Sequence, residues 1–317
     1  MRVMFKAAMA AVVSAVWVVS AAAQEYPSRP INMIIPFPPG GNTDLMARAL
    51  QPELAKALGQ PVVAVNKGGA GGTIGNIEVA SARPDGYTIG ITPNNPLTAQ
   101  PHVQKLPYGM DSFKYVCLTY HVPYVLIASP KAPFKTFQEF VAFAKAKSDN
   151  LIYASPGPGT QPHLGILSAL GAIKAEGIHV PFTGAGPMSQ AMLAGTVMAM
   201  SESTAVAKAS NLVVLAAQTK ERIAALPDVP TMQELGYPSE AFSAGGLIVP
   251  AATPDAVVAR LQKACADAVA SDGYRSATER LNAMARYLPG LDFRKMFDAD
   301  SARNAEAVKK AGLVPAQ

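Results

Sequence analysis

The chain has 317 residues, enough for about two domains, and half of them are apolar, which excludes a disordered segment. Charged residues make up 15%, and 27 Lys and Arg against 22 Asp and Glu leave a formal charge of +5. That excess is scattered, with no Lys/Arg cluster of the kind that tracks phosphates, so nucleic acid is not an expected partner.

The N-terminus accounts for part of the charge. Arg2 and Lys6 precede an uncharged run from Ala7 to Val19, and Ala21-Ala22-Ala23 supplies the small residues of a cleavage site, so 1–23 reads as a signal peptide. Cleavage there removes two cations, leaving 25 − 22 = +3, and removes Trp17, the single tryptophan. A soluble, exported, periplasmic product is expected. In such a compartment Cys117 and Cys265 either form a disulfide or remain two buried thiols; their spacing decides neither.

Ile31–Ile35 reads as a strand, Pro36–Asn42 as a glycine- and proline-rich turn, and Thr43–Leu58 as a helix with apolar residues at Leu45, Ala49, Leu50, Leu54 and Leu58. Pro61–Val65 is the next strand, Gly68–Gly72 a second glycine turn, Thr73–Ala82 a helix and Tyr87–Thr92 a third strand, which together predict a parallel, doubly wound sheet. Tyr115–Ser129 is a β-rich run broken at Pro123, suited to a passage between domains. A second series follows, with strands at Leu151–Ala154, Ile178–Pro181, Val197–Met200 and Leu212–Leu215. Its helices lie at Thr136–Lys147, Thr160–Lys174, Pro187–Ala194 and Glu202–Ala209. Gly245–Val249 is a returning strand, and the remainder reads as helical. This order predicts an α/β fold of two doubly wound lobes joined by two crossing segments. One lobe comprises 24–122 with 241–317, the other 123–240, and a ligand cleft lies between them.

The chemistry concentrates at strand-to-helix turns. In Phe37-Pro38-Pro39-Gly40-Gly41-Asn42-Thr43-Asp44, glycines expose backbone N–H groups beside a helix N-terminus, an arrangement suited to a carboxylate or phosphate; a plain turn capped by Asn42 or Thr43 fits the same residues. Ser155-Pro156-Gly157-Pro158-Gly159-Thr160-Gln161 repeats the pattern in the second lobe. His163 just beyond it reads as structural, because helix N-termini disfavour imidazolium. Asn66 and Lys67 are candidates for the border of the cleft. Gly68–Gly72 lacks a following Gly-Lys-Ser/Thr, and no GxGxxG with a downstream acid is present, so no nucleotide cofactor is expected. HExxH, CxxC and GxSxG are also absent, and the four histidines lack metal-ligand spacing, so neither a metal nor a catalytic residue is expected, an exported hydrolase using Asp44 or His163 being the less favoured alternative. Asp44 and Glu202 sit at predicted helix starts, where they can serve the helix dipole or the ligand. Met188, Met192, Met198 and Met200 read as core rather than as a cleft wall.

Several segments together resemble the substrate-binding proteins of tripartite tricarboxylate transporters, the Bug family. They are Tyr26-Pro-Ser-Arg-Pro30, Ile35-Pro-Phe-Pro-Pro-Gly-Gly-Asn-Thr-Asp44, Val65-Asn-Lys-Gly-Gly-Ala-Gly-Gly-Thr-Ile-Gly75, Pro84-Asp-Gly-Tyr-Thr88, Tyr153-Ala-Ser-Pro-Gly-Pro-Gly-Thr160 with His163-Leu164, His179-Val-Pro-Phe182, Leu226-Pro-Asp-Val-Pro-Thr231 and Glu234-Leu-Gly-Tyr-Pro238. The resemblance implies a type II periplasmic binding-protein fold whose two glycine loops hold a small carboxylate through backbone groups. It also implies a monomer whose partners are the membrane permease subunits of a tripartite transporter or, for a sensor, a histidine kinase. The candidate ligand-binding set is Phe37, Pro39, Gly40, Gly41, Asn42, Thr43, Asp44, Asn94, Ser155, Gly157, Gly159, Thr160, Gln161 and Glu202. Gln190, Ala244 and Met200-Ser201-Glu202 depart from the family pattern at positions expected to adjoin the cleft, which favours an acid carrying an apolar or aromatic portion over an α-amino acid. Bulky β-branched replacements of Gly40 or Gly159 are expected to cost affinity with the fold intact.

Overall fold

The computed structural model describes residues 26–146, 150–310 and 312–313, so the segment read as a signal peptide lies outside the described residues. The first half begins β1 (Ile31–Ile35), α1 (Asn42–Leu58), β2 (Val62–Asn66), α2 (Thr73–Ser81), β3 (Thr88–Pro93) and two short helices, α3 (Asn95–Thr98) and α4 (Gln100–Val103). A long strand, β4 (Phe113–Ala128), leads to α5 (Phe137–Ala146), β5 (Ile152–Ser155), α6 (Gln161–Ile173), β6 (Ile178–Pro181), α7 (Ala185–Ala194), β7 (Ala199–Ser203), α8 (Thr204–Ala209) and β8 (Val213–Ala217). The chain returns through β9 (Phe242–Pro250) to α9 (Asp255–Ala270), α10 (Asp272–Arg280), β10 (Met284–Pro289) and α11 (Gly290–Lys310).

Side-chain alternation explains the layers. In β1, Ile31, Met33 and Ile35 enter a core with α1 and α9, while Ile34 enters a separate core with α2 and α11. In the second half of β4, Leu126 and Ala128 pack toward α5 and α6, and Val125 and Ile127 toward α7 and α8. Each half is therefore a sheet covered on both faces, as the doubly wound reading requires. Met188, Met192 and Met200 are buried in the last of these cores, with Met198 packed against its neighbour, as expected of core residues.

The strand order is β2-β1-β3-β9-β4-β7-β5-β6, with β8 and β10 also paired to β4. The β1–β2 and β1–β3 pairs are parallel, whereas β9 is antiparallel to both β3 and β4. Two details correct the sequence reading. The run at Pro123 is unbroken: β4 pairs with β9 as far as Pro123 and with β7 from Tyr124, so the proline sits where the strand changes partners, a place that tolerates a missing N–H. The C-terminal region is not wholly helical, because β10 runs antiparallel along β4; Met284 and Tyr287 are exposed there, so the strand lacks a clean apolar face.

Cys117 of β4 and Cys265 of α9 are joined in a disulfide, with Cα atoms 6.6 Å apart and 148 positions between them in sequence. It crosses the core of the first half, where both residues are fully buried. Closing so long a loop restricts the unfolded chain by an amount worth about 2–5 kcal/mol. Urea unfolding with and without a strong reductant should show a loss in that range, and equal midpoints would refute a stabilising bond.

Candidate functional site

The C-terminal ends of the strands face a cleft of about 970 Å³ between the two halves. Phe37 to Thr43 form one wall, with Asn66 and Gly68 to Gly72 beside it and Pro93, Asn94 and Asn95 after β3. The opposite wall is Pro156, Thr160, Gln161 and Pro162 at the start of α6 and Phe182 to Pro187 at the start of α7. Tyr124 of β4, Glu202 of β7 and Ser243 of β9 come from the strands shared between the halves. Three helix N-termini, those of α1, α6 and α7, thus border the cleft with their unpaired N–H groups and partial positive charge.

The first loop is shaped by Asp44. Its carboxylate accepts hydrogen bonds from the Gly40 N–H at 2.9 Å, Asn66 Nδ2 at 2.8 Å and Arg48 Nε at 3.0 Å. Asn66 also donates to the Phe37 carbonyl at 2.9 Å. Burial alone would raise the Asp44 pKa, but the bonds from Arg48, Asn66 and Gly40 outweigh it and hold the carboxyl below its ordinary value. Asp44 therefore braces the loop from behind and does not line the cleft, a correction to its placement among the ligand contacts. Lys67, the other candidate beside Asn66, is half exposed and pairs with Glu78 at 3.3 Å.

The second loop is tied by its own side chains. Ser155 Oγ lies 2.7 Å from His179 Nε2 and accepts from the Gly157 N–H at 3.2 Å; Thr160 Oγ1 donates to the Gly157 carbonyl at 2.7 Å. The Gly159 N–H donates to His163 Nδ1 at 3.0 Å, so that N–H is already occupied. His163 stacks on His179 with ring centroids 4.0 Å apart, and burial first, then His179, drive its pKa down to about 3. It is a neutral structural group, as the sequence reading expected. Ser155, Gly157 and Gly159 fall outside the cleft lining: the Ser155 hydroxyl, the Gly157 groups and the Gly159 N–H are bonded within the loop and its helix, and the Gly159 carbonyl accepts from Asn95 Nδ2 at 2.6 Å. Gly159 has φ +68, and a Cβ there would collide with Val103, so a β-branched residue would disturb the fold itself. Gly40 has φ +83 but open space around it, so its replacement strains the backbone without a steric clash.

Of the expected contacts, Phe37, Pro39, Gly40, Gly41, Asn42, Thr43, Asn94, Thr160, Gln161 and Glu202 share one cleft. Glu202 lies at the end of β7, one residue before the Ser203 cap of α8, rather than at a helix start. Gln190 is exposed on α7 and Ala244 is buried in the sheet; neither lines the cleft, whatever their departure from the family pattern suggests. The sequence reading missed Phe182 to Pro187 as a wall, although Gly184 and Gly186 at a strand-to-helix turn repeat the signal of the other loops. It also missed Tyr124, Ser243 and Asn95, which no motif marks.

Among the described residues no lysine, arginine or histidine lines the cleft, and Glu202 is the single carboxylate that does. Burial pushes the Glu202 pKa up to about 7 against the opposing hydrogen bonds from Ser203. Two lining amides have unpartnered buried atoms, Nδ2 of Asn42 and Oδ1 of Asn95. Behind the cleft, Asp300 of α11 gathers Asn94 Nδ2 at 2.9 Å, Thr98 Oγ1 at 2.7 Å and Asn304 Nδ2 at 3.2 Å, with Gln161 Nε2 at 3.4 Å from the other half. It orients lining amides from both walls. Among the described residues no group of His, Cys, Asp and Glu is placed to hold a metal, and no helix is long and apolar enough to cross a membrane.

Two α/β halves sharing crossing strands, with helix N-termini around an open cleft, define a type II solute-binding protein. Residues 46–313 match the family described as tripartite tricarboxylate transporter family receptor, and the chain belongs to that family. It is similar to the periplasmic binding protein BugD, with 31% identity over 91% of this chain and 99% of that one and a TM-score of 0.84. MatC from Rhodopseudomonas palustris, solved with bound malate, is 30% identical over 89% of this chain and 100% of its own, with a TM-score of 0.81. A second R. palustris protein, solved with adipate, is 26% identical over 92% of this chain and 100% of its own, with a TM-score of 0.87.

Asp300→Ala would leave buried donors on Asn94, Thr98 and Asn304 without their shared acceptor. Chemical unfolding should show a loss of about 2–4 kcal/mol, well beyond an exposed substitution such as Gln190→Ala. A change under about 0.5 kcal/mol would mean that the cluster is dispensable.

Proposed function

We propose that this protein captures a small organic carboxylate in the periplasm and presents it, unchanged, to the permease subunits of a tripartite transporter. The observation that carries the reading is the chemistry of the cleft: three helix N-termini converge on a space that no cationic side chain of the described residues lines, where the Asn42 amide has an unsatisfied donor. Backbone N–H groups at helix starts bind a carboxylate without the competing geometry of a lysine or arginine. The malate and adipate of the two R. palustris relatives are acids of this class. Phe37 and Phe182 line opposite walls of the cleft and suit an acid with an apolar or aromatic portion.

Capture proceeds by closure of the two lobes, 24–122 with 241–317 against 123–240, around the passages of β4 and β9. Closure removes water from the ligand and creates the surface that a permease reads. No group in the cleft forms a nucleophile–base pair, and the neutral His163 is committed to the Gly159 N–H, so binding without turnover is the reading we adopt.

Protein freed of co-purified ligand should bind adipate, malate or benzoate in calorimetry, and native mass spectrometry should return the acid unaltered. Asn42→Ala removes a donor to a charged group and should weaken that binding by about 10-fold or more, with Gln190→Ala as the silent control. Turnover of the acid, or full affinity in Asn42→Ala, would defeat the reading.

A further inference from the structure

Glu202 is an acid in a cleft that, on the reading above, receives an acid. Its side chain is buried at the end of β7, and the residue is only 5% exposed. Its hydrogen bonding comes from Ser203, whose N–H donates to Oε1 at 2.7 Å, and it takes part in no ion pair among the described residues. The two other buried carboxylates near the site are differently served: Asp44 has Arg48, Asn66 and Gly40, and Asp300 has Arg303 with its cluster of amides. Glu202 has no cation.

The neighbouring elements offer none. On β4, paired with β7, Tyr124 faces the same floor, and burial with the nearby Glu202 charge drives its phenol well above the ordinary value, so it stays protonated. β5, also paired with β7, carries Tyr153, whose phenol burial pushes up; α6, packed against β7, carries His163, held neutral by burial, and α8 carries Lys208, which is exposed. The segment at the start of α7 and Ser243 on β9 carry no titratable group. An anionic ligand that closes this cleft therefore brings a second negative charge into a space already containing one and excludes the water that screens them.

We propose that Glu202 is a specificity-determining residue that works in its protonated form: its carboxyl O–H donates a hydrogen bond to a carboxylate or hydroxyl oxygen of the bound acid. This inference rests on the carboxylate-binding reading. One proton leaves the buffer acid for a Glu202 oxygen as the anion enters: the Glu202 O–H bond forms as the buffer's bond to hydrogen breaks, and no bond within the ligand changes. A carboxyl–carboxylate hydrogen bond is short and charge-assisted, and it favours ligands with an oxygen acceptor remote from the backbone cradles. The sign follows. The free cleft holds the Glu202 pKa at about 7, and a bound anion raises it further. Below that range Glu202 is already protonated and affinity is level; above it, each binding event must take up a proton and affinity falls as pH rises.

Calorimetry of the intact mature protein with adipate, malate and aspartate, from pH 6 to pH 8.5 and in phosphate and Tris buffers, tests this. Adipate or malate affinity should fall by about tenfold per pH unit above pH 7.5, with a buffer-dependent heat that corresponds to uptake of nearly one proton. Glu202→Gln should bind with affinity changing less than about twofold over the range and exceed the wild type at pH 8.5. Should that variant fail to fold, the wild-type proton uptake decides alone. Level wild-type affinity with no proton uptake overturns the linkage and leaves the carboxylate reading standing. Aspartate affinity that rises with pH also overturns it, since a charged Glu202 would then be pairing with the ammonium. Absence of binding by any of the three acids at any pH brings down both the carboxylate reading and this one.

Discussion

The sixteen residues of β4 hydrogen-bond to β9, β10, β7 and β8, and that shared backbone determines where the floor of the cleft lies. Its register sets Pro123 opposite Phe242, Tyr124 opposite Ser203 and Val125 opposite Glu202. Tyr124, Ser243 and Glu202 are thereby brought to one place from three distant stretches of chain. A ladder of backbone bonds is stiff, and the disulfide from Cys117 to α9 ties the same strand into the first core. The floor is accordingly built on rigid elements, while the walls are helix-start loops, whose backbone supplies the donors.

On the proposed reading, those walls would make an anion site without a cationic side chain from the described residues. Each helix N-terminus leaves N–H groups unpaired, and three of them point at the same space. A positive side chain would add attraction but would also bring its own desolvation cost and a fixed length. Backbone donors already sit in the folded loop and add no side-chain entropy loss. The buried acids follow the same economy of partners. Asp44 and Asp300 are each surrounded by donors and act as braces, one for the loop after β1 and one for the amides of Asn94 and Gln161. An isolated buried carboxylate costs several kcal/mol, which is why a fully braced acid is inert and a sparsely served one, Glu202, is chemically poised.

Much of this was legible in the sequence, and the parts that were not share a cause. Local signals placed β1, α1, β2, α2 and β3 within a residue or two, because apolar spacing and glycine punctuation act over short range. The two glycine loops are legible as well, but not which atoms face the cleft: Gly40 and Thr160 line it, whereas the Ser155 hydroxyl and the Gly159 N–H are taken by His179 and His163. Tyr124, Ser243 and Asp300 depend on strand register and on packing of α11, which are long-range facts. β10 escaped notice because it lies on the edge of β4 with Met284 and Tyr287 exposed, so its pattern resembles neither a buried strand nor a helix face.

Polar contacts join the halves beside a small apolar cluster in which Leu164 of α6 meets Ala99 and Val308. Asn95 Nδ2 donates to the Gly159 carbonyl at 2.6 Å, Gln100 Nε2 to the Pro158 carbonyl at 3.3 Å and Gln161 Nε2 to Asp300 at 3.4 Å. Each such bond contributes about 1 kcal/mol net, since water replaces it when the halves separate. Three of them amount to a bias of a few kcal/mol, the scale on which a ligand can shift a two-state equilibrium through its differential affinity. A large apolar interface in the same place would lock the halves together regardless of ligand. Because the polar contacts come from the same loops that form the walls, a ligand held by Thr160 and Asn94, as the proposed function requires, would act on the segments that hold the halves together, and binding and closure would be one physical event.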